Sequence, residues 1–367
     1  MNPSNSHGVS SPVRFDAGYL ARTAQAIFRC PVEDVAYVPL PGDASTRRYF
    51  RVTFRKASGN NGKESLILMQ LEKPVKGSET DFILILKFLE GLDLPVPRLF
   101  HYDAESGLLF LEDCGDTTFE EKIRSAQQDE IEAYYRQAVA LLVKLQSEAT
   151  RRVGPQCPAY HLRFDVEKLM WEFDFMLEHY AGGLRGAPLS GEDAREVRRH
   201  FQPLCETLAG QELCFTHRDY HSRNLMVHNG RLVLLDFQDA RMGPCQYDLA
   251  SLLRDSYVPL DDALVEEMKD LYIELKESAE RRPVDRKRFY EIFDLMSIQR
   301  NLKAVGTFAY QCVARKNGRY LDYIPRTLGY VRRTLNGNPG LTPLRLCLET
   351  HIPGLREAPG GTENARP

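Results

Sequence analysis

The sequence predicts an α+β protein with two lobes, in which a small lobe built on an antiparallel sheet precedes a larger, mostly helical lobe. Segments with the alternating or apolar pattern typical of strands are concentrated in the first third of the chain, at 35–40, 49–54, 65–71 and 107–113. From residue 130 onward, apolar residues recur with helical periodicity over long segments. The 367 residues are enough for two lobes with separate apolar cores.

The domain organisation follows from these segments and from two polar termini. Residues 1–14 and 354–367 are rich in small and polar side chains and are expected to be loose tails, which leaves 15–112 for the small lobe and 113–353 for the large lobe. Helices are expected at 17–29 and 81–91 in the small lobe, and at 130–149, 165–180, 192–209, 247–258, 261–281 and 287–313 in the large lobe.

Composition excludes several classes of function. The formal net charge of −3, without a basic stripe, argues against a nucleic-acid binder, and the longest apolar runs have only the length of a strand, so no membrane span is expected. The polar N-terminus lacks the apolar core of a signal peptide, and the eight cysteines form no Cys-x-x-Cys pair. We therefore expect a cytoplasmic protein with reduced cysteines; its oligomeric state stays open.

Residues 214–240, with the sequence CFTHRDYHSRNLMVHNGRLVLLDFQDA, carry the strongest functional signal. Asp219 ends a His-Arg-Asp triplet, Asn224 follows five residues later, and Asp236 comes directly after a short apolar run. The pair Asn229–Gly230 predicts a tight turn, so these side chains should lie at the ends of one β-hairpin. Phosphoryl transfer requires this set, because it uses one carboxylate to accept a hydroxyl proton and two oxygen ligands to hold Mg²⁺ on the phosphates.

Each polar residue of this region has an expected role. Asp219 is the expected catalytic base, and Asn224 and Asp236 are the expected Mg²⁺ ligands. His217 is expected to be structural and to form a hydrogen bond with the backbone of the acidic loop, residues 236–239. Asp248 is also expected to be structural, capping the helix that follows and bracing the catalytic loop.

A small-residue turn lies between the first two predicted strands and consists of Gly42, Asp43, Ala44 and Ser45. Such a turn can present backbone N–H groups and a hydroxyl to phosphates, although a plain hairpin turn has the same composition. Its position ahead of the catalytic hairpin favours the phosphate-binding role.

The catalytic hairpin resembles that of the aminoglycoside phosphotransferase/choline kinase superfamily, whose members are related to protein kinases. Within that superfamily the chain is similar to bacterial kinases that phosphorylate the anomeric hydroxyl of N-acetylmuramate and N-acetylglucosamine in cell-wall recycling. The resemblance covers the chain apart from its tails, and the runs that carry it are 42–45, 47–51, 109–116, 217–226, 235–240, 243–244, 247–255, 299–303, Gly306 and 320–325.

The resemblance implies a two-lobed protein-kinase-like fold, with ATP in the cleft between the lobes, Mg²⁺ on its phosphates and a small-molecule sugar as acceptor. The backbone of Glu112, Asp113 and Cys114 would then meet the adenine edge. Two other functions stay open: transfer to another small alcohol, such as an aminoglycoside or choline, and a nucleotide-binding pseudokinase that regulates a partner. Neither a nucleic-acid nor a membrane partner is expected.

The third predicted strand departs from the general kinase pattern. It has no lysine for the α- and β-phosphates, since Met69 or Gln70 occupies that position, so the cation must come from elsewhere. Arg48 and Arg51 are the candidates. Their odd separation places them on opposite faces of a strand, and Arg48 is the one expected to bind the nucleotide.

The metal loop and the acceptor region also differ from that pattern. Asp236 is followed by Phe-Gln instead of Phe-Gly, so the activation-loop flip of protein kinases is not expected. In the acceptor region, His179 stands where the similar sugar kinases tend to have a tryptophan. Candidate acceptor contacts are Arg223, Asp239, Arg254, Asp255 and Arg300. A muramate acceptor carries a lactyl carboxylate, for which one of the three arginines is the natural partner. An equally good explanation for Asp239 is that it caps a loop. For Arg254 and Asp255, an equally good explanation is that they are charges on an exposed helix face.

Overall fold

The computed structural model describes residues 14–40, 47–57, 62–74 and 79–356. The described residues up to Leu86 and those from Val96 to Gly115 form one compact unit, and those from Lys87 to Pro95 and from Asp116 onward form a second. Most of the two expected tails lies outside the described residues.

The first unit contains a five-stranded sheet. Its strands are β1 (Val32–Pro39), β2 (Arg48–Lys56), β3 (Lys63–Gln70), β4 (Leu99–Asp103) and β5 (Leu108–Glu112). They are arranged in the order β1-β2-β3-β5-β4, and every neighbouring pair is antiparallel. The α+β fold with an antiparallel sheet near the start of the chain is thereby confirmed.

Helices make up most of the second unit. The helices of the described chain are α1 (Ala17–Phe28), α2 (Asp81–Glu90), α3 (Phe119–Ser125), α4 (Gln128–Arg152), α5 (Val166–Met176), α6 (Gly191–Ala209), α7 (Gln246–Leu253), α8 (Asp262–Glu280), α9 (Arg286–Val313), α10 (Ile324–Gly337) and α11 (Thr342–His351). Two short two-stranded sheets join them, one from β6 (Cys214–Thr216) and β9 (Arg241–Gly243) and one from β7 (Leu225–His228) and β8 (Arg231–Leu234).

The helices differ from the sequence expectation at several places. The helix expected at 165–180 is split, because α5 ends at Met176 and continues as a π-helical segment, Leu177–Leu184. The helices α10 and α11 were not expected. Each has a proline in its first turn, where the missing N–H costs nothing, but where proline in a sequence also suggests a break.

The helix α1 forms the apolar core of the first unit together with the sheet. Leu20 and Ala24, one helical turn apart, are buried against the alternate residues Phe50, Val52 and Phe54 of β2. Burying each large apolar side chain contributes roughly 1.5–3 kcal/mol relative to leaving it exposed. This contact assigns one face of β2 to the core and leaves the opposite face for other uses.

In the second unit, α9 crosses α5 at close range. A Cβ atom at Gly306 would lie 2.7 Å from the Cα atom of Met176, so only glycine allows this approach. The crossing brings Gln299, two turns before Gly306 on α9, to Glu172 of α5. Among the described residues, no helix is long and apolar enough to cross a membrane.

Candidate active site

The predicted catalytic hairpin is formed by β7 and β8. Leu225 pairs with Leu234, so Asn224 lies opposite Leu235, and the Leu235 N–H donates to the Asn224 carbonyl at 2.9 Å. The turn Asn229–Gly230 joins the strands with φ values of 50° and 72°, a conformation that asparagine and glycine adopt most readily. The hairpin therefore sets the register of the residues at its open end.

Asn224 and Asp236 are neighbours at this open end. The carboxamide nitrogen of Asn224 donates to the Asp219 carbonyl at 3.0 Å, which leaves the carboxamide oxygen as a ligand atom. Asp236 is exposed, has a left-handed φ of 61°, and accepts a hydrogen bond from Gln238 at 2.7 Å. A carboxamide oxygen beside a carboxylate is a set of hard oxygen donors, so the residues present fit Mg²⁺.

The loop that carries Asp219 is held by the buried carboxylate of Asp248. Its two oxygens accept the backbone N–H groups of His217 at 2.7 Å and of Arg218 at 2.9 Å. These bonds help to hold Arg218 at a φ of 79°, which is strained for a residue other than glycine. Asp248 lies inside α7 and does not cap it. The expected helix cap is therefore wrong, because the carboxylate is used by the catalytic loop.

Asp255 braces the same loop from a second position. It is 1% exposed, and its oxygens accept the N–H groups of Ser222 at 2.9 Å and of Tyr257 at 2.8 Å. The helix expected at 247–258 ends at Leu253, since the backbone after it is held by this side chain instead of by helical bonds. The structure therefore gives Asp255, a candidate acceptor contact, a buried bracing position.

Asp219 is paired with a lysine from α9. The Lys303 ammonium lies 3.1 Å from Asp219 Oδ1, and the Asp219 side chain is 23% exposed. Burial alone would raise the pKa of Asp219, but the positive charges of Lys303 and Arg218 outweigh it and hold that pKa well below its usual range. The carboxylate is consequently ionised at neutral pH, and solvent can reach it.

The two histidines beside Asp219 are neutral at physiological pH. Burial lowers the pKa of His217 to about 4, and burial together with the charge of Arg300 lowers the pKa of His221 to about 3. The His217 ring is buried, and a hydrogen bond with the backbone of Leu235, the residue before Asp236, opposes part of the effect of burial on its pKa. This position agrees with a structural role better than with proton transfer.

The three candidate arginines have partners in the structure. Arg223 donates to Glu120 at 2.6 Å, and Arg254 donates to Asp262 at 2.7 Å. Arg300 is 4% exposed and donates from Nε to a serine hydroxyl on α7 at 3.1 Å. None of the three is assigned to an acceptor by these contacts, and their roles stay predictions.

Asp239 and Glu172 both lie near Arg218. Asp239 is exposed, and its carboxylate is 3.2 Å from the Arg218 guanidinium. Glu172 is buried, accepts a hydrogen bond from Gln299 at 2.8 Å, and lies 3.9 Å from the same guanidinium. Arg218 therefore links the catalytic loop to α5.

In the first unit, the turn Gly42–Ser45 lies outside the described residues.

The two candidate arginines of β2 lie on opposite faces of the strand. Arg51 binds Asp113 through two hydrogen bonds, at 2.7 and 3.0 Å. Arg48 is on the same face as Phe50, and its guanidinium lies 5.1 Å from the centre of the Phe50 ring. Burial would raise the pKa of Asp113, but the hydrogen bond from Arg51 contributes to a net lowering. Arg51 thus binds the segment that follows β5, and the nucleotide-binding role of Arg48 stays a prediction.

Glu112 and Cys114 flank Asp113 in the segment expected to meet adenine. The Glu112 N–H donates to the Arg98 carbonyl at 2.9 Å, so its backbone is tied to the chain before β4. Cys114 is buried, and burial raises the pKa of its thiol to about 12. The thiol is therefore unreactive at neutral pH, and any contact of this segment with a nucleotide would involve its backbone.

Sequence reasoning missed Lys303 and Glu172 as site residues. Lys303 follows Leu302 and precedes Ala304 and Val305 in a helix that is otherwise largely buried. A lysine in such a run needs a carboxylate partner, and this signal could have pointed to a buried ion pair. It could not have named Asp219 as the partner.

A carboxylate held on a strained loop, next to an asparagine and an aspartate at the end of one hairpin, is the arrangement typical of a phosphotransferase of the protein-kinase type. The chain belongs to the phosphotransferase enzyme family, whose model matches residues 36–284.

Relatives within this family are known as sugar kinases. The chain is 32% identical over 321 residues to the N-acetylmuramate/N-acetylglucosamine kinase of Neisseria meningitidis serogroup B, covering 87% of this chain and 91% of that protein. It is 31% identical over 308 residues to the enzyme of the same name from Pseudomonas aeruginosa, covering 84% and 86%. The ethanolamine kinase of Plasmodium vivax has the same fold, with a TM-score of 0.56, 12% identity and coverage of 81% and 82%.

Proposed function

We propose that the protein is a cytoplasmic, ATP- and Mg²⁺-dependent kinase that phosphorylates the anomeric (C1) hydroxyl of N-acetylmuramate, of N-acetylglucosamine, or of both, in peptidoglycan recycling. The identity to two kinases named for these sugars, over more than four fifths of the chain, carries the choice of acceptor. The partly exposed Asp219 carries the chemistry, because it is the ionised group that an acceptor hydroxyl would meet.

Asp219 accepts the hydrogen bond of the acceptor hydroxyl and takes its proton as the phosphoryl group is transferred. A carboxylate with a low pKa is a weak base, so it contributes by orienting the hydroxyl as well as by taking its proton. An anomeric hydroxyl is more acidic than an ordinary alcohol, which lowers the demand on this base. Asn224 and Asp236 would hold Mg²⁺, and the ion would neutralise charge on the transferred phosphates.

The nucleotide needs a further cation, because β3 has Met69 and Gln70 where a phosphate-binding lysine would stand. We assign this role to Arg48 and expect Arg48→Ala to raise the KM for ATP several-fold. Arg55→Ala is the matched control, since Arg55 lies on the same strand and pairs with Asp34. Steady-state kinetics at saturating sugar measure the effect, and equal KM values in the two variants would contradict the assignment.

The proposed reaction is tested with purified protein, ATP, Mg²⁺ and each of the two sugars, with ³¹P NMR of the product. A sugar 1-phosphate, recognised by the splitting of its signal by the anomeric proton, is the expected product. A 6-phosphate would keep the kinase and contradict the anomeric assignment. Consumption of ATP without a sugar phosphate would indicate another acceptor, and no turnover at all would favour a pseudokinase.

A further inference from the structure

A group of four cations, called here the cationic cluster, lies beside the expected base. Its members are Lys168 on α5, Arg218, Arg241 and Lys303 on α9. The carboxylates that face them are Glu172, Asp219 and Asp239. Burial and the positive charges of the other three members lower the pKa of Lys168, as expected for a region of positive potential.

Lys168 and Arg218 of the cationic cluster both lie near Glu172 without a hydrogen bond to it. The Lys168 ammonium is 3.7 Å from Glu172 Oε1, and Arg218 Nη2 is 3.9 Å from the same oxygen, both longer than a hydrogen bond. Arg218 Nε is a buried donor without a hydrogen-bond partner in the described chain. A buried donor of this kind is normally satisfied, so this N–H group indicates a missing acceptor.

An exposed aromatic surface adjoins these donors. Trp171, the only tryptophan of the chain, is 51% exposed, and its ring lies 3.8 Å from the Lys168 ammonium. Phe175 and His179 continue the row along the same helical path, and Tyr310 of α9 contacts both. A tryptophan face suits the apolar C–H face of a pyranose.

We propose that Lys168 and Arg218 bind the carboxylate of an acidic acceptor, the lactyl group of N-acetylmuramate, while Trp171 covers its sugar ring. The inference rests on the proposed function, since it assigns the residues that discriminate between the acidic N-acetylmuramate and the neutral N-acetylglucosamine. An oxyanion there would give the buried Arg218 Nε its missing acceptor. Of the three arginines that the sequence offers as candidates, Arg223 and Arg254 have carboxylate partners, and the buried Arg300 donates to the hydroxyl of Ser251.

The experiment is a double-mutant cycle between enzyme and substrate. Wild type and Lys168→Met are each assayed for kcat/KM with N-acetylmuramate and with its carboxamide, which keeps the shape and removes the charge. A charge-assisted hydrogen bond predicts a preference of the wild type for the acid of about tenfold, and the loss of most of that preference in the variant. The ratio of acid to amide is the readout, so a general loss of activity cancels.

Two further variants complete the experiment. Lys168→Arg keeps the charge and should retain the preference for the acid. Lys269→Met is the matched control, because Lys269 of α8 also lies beside a glutamate, Glu266, and an aromatic ring, that of Tyr290; it should leave the ratio at the wild-type value. If Lys168→Met has a lowered melting temperature, Lys168→Gln replaces it, since an amide removes the charge and keeps a polar group beside Glu172.

The outcomes separate this inference from the proposed function. Equal ratios in wild type and in the Lys168 variants overturn the inference, and so does a wild type that takes the amide as well as the acid. A wild type that phosphorylates N-acetylglucosamine and not N-acetylmuramate also overturns it while keeping the sugar kinase. A wild type that phosphorylates neither sugar contradicts the proposed function itself.

Discussion

Replacing Asp219 with asparagine is expected to lower kcat by a factor of about 10²–10⁴, the usual contribution of a general base. The carboxylate is ionised, partly exposed and held on a loop whose backbone is tied to Asp248. Asparagine keeps the shape and one acceptor oxygen but cannot take the hydroxyl proton. The KM for ATP should change little, because Asn224 and Asp236, the expected metal ligands, are untouched. Initial rates of ADP formation at saturating sugar measure the effect.

The matched control is Asp270→Asn, which also removes a carboxylate from an ion pair. Asp270 pairs with Arg286 at 2.8 Å on the protein surface, and its loss should leave kcat at the wild-type value. Melting temperatures of both variants show whether lost activity reflects unfolding. A fall in kcat of less than about tenfold in a folded Asp219→Asn protein would mean that another group accepts the proton.

The groups that could be predicted from the sequence are those that local structure brings together. Asp219, Asn224 and Asp236 fall within one hairpin, whose turn is specified by Asn229–Gly230, so their spacing already implies their proximity. The antiparallel sheet could be predicted for a similar reason, since its strands have a local signature and short connections.

The remaining parts of the site depend on contacts between distant segments. Lys303 is 84 residues from Asp219, and Gln299 is 127 residues from Glu172, so the packing of α9 on α5 decides both pairs. A sequence shows that a lysine in a buried helix needs a partner, but the partner is known only when the helix crossing is known. For the same reason the partner of Arg223 could not be predicted, because Glu120 lies 103 residues upstream.

Side chains that hold loops were also hard to assign from sequence. Asp248 and Asp255 are acids in or just after a helix, and such acids are usually caps or exposed charges. In the structure their oxygens accept N–H groups of the catalytic loop, because that loop has few backbone partners of its own. The strained φ of Arg218 is the local sign of this support.

Replacing Lys303 with methionine is expected to lower kcat and to move the acidic limb of the pH profile of kcat/KM to higher pH. Asp219 must be ionised to act, and the Lys303 ammonium at 3.1 Å lowers its pKa. Without that charge, the effect of burial, which raises the pKa, is opposed mainly by Arg218. The base then loses its charge at a higher pH, so activity falls earlier as the solution is acidified.

The position of the acidic limb distinguishes this electrostatic role from a purely structural one. Lys303→Arg keeps the charge and should keep the limb close to that of the wild type, even if the longer side chain lowers kcat. Lys269→Met removes a lysine from α8 and should leave the whole profile unchanged. If Lys303→Met loses activity equally at every pH, then Lys303 does not act through the ionisation of Asp219. A folded variant with the wild-type kcat would show that the pair is dispensable, and the low pKa of Asp219 would then have to depend on Arg218.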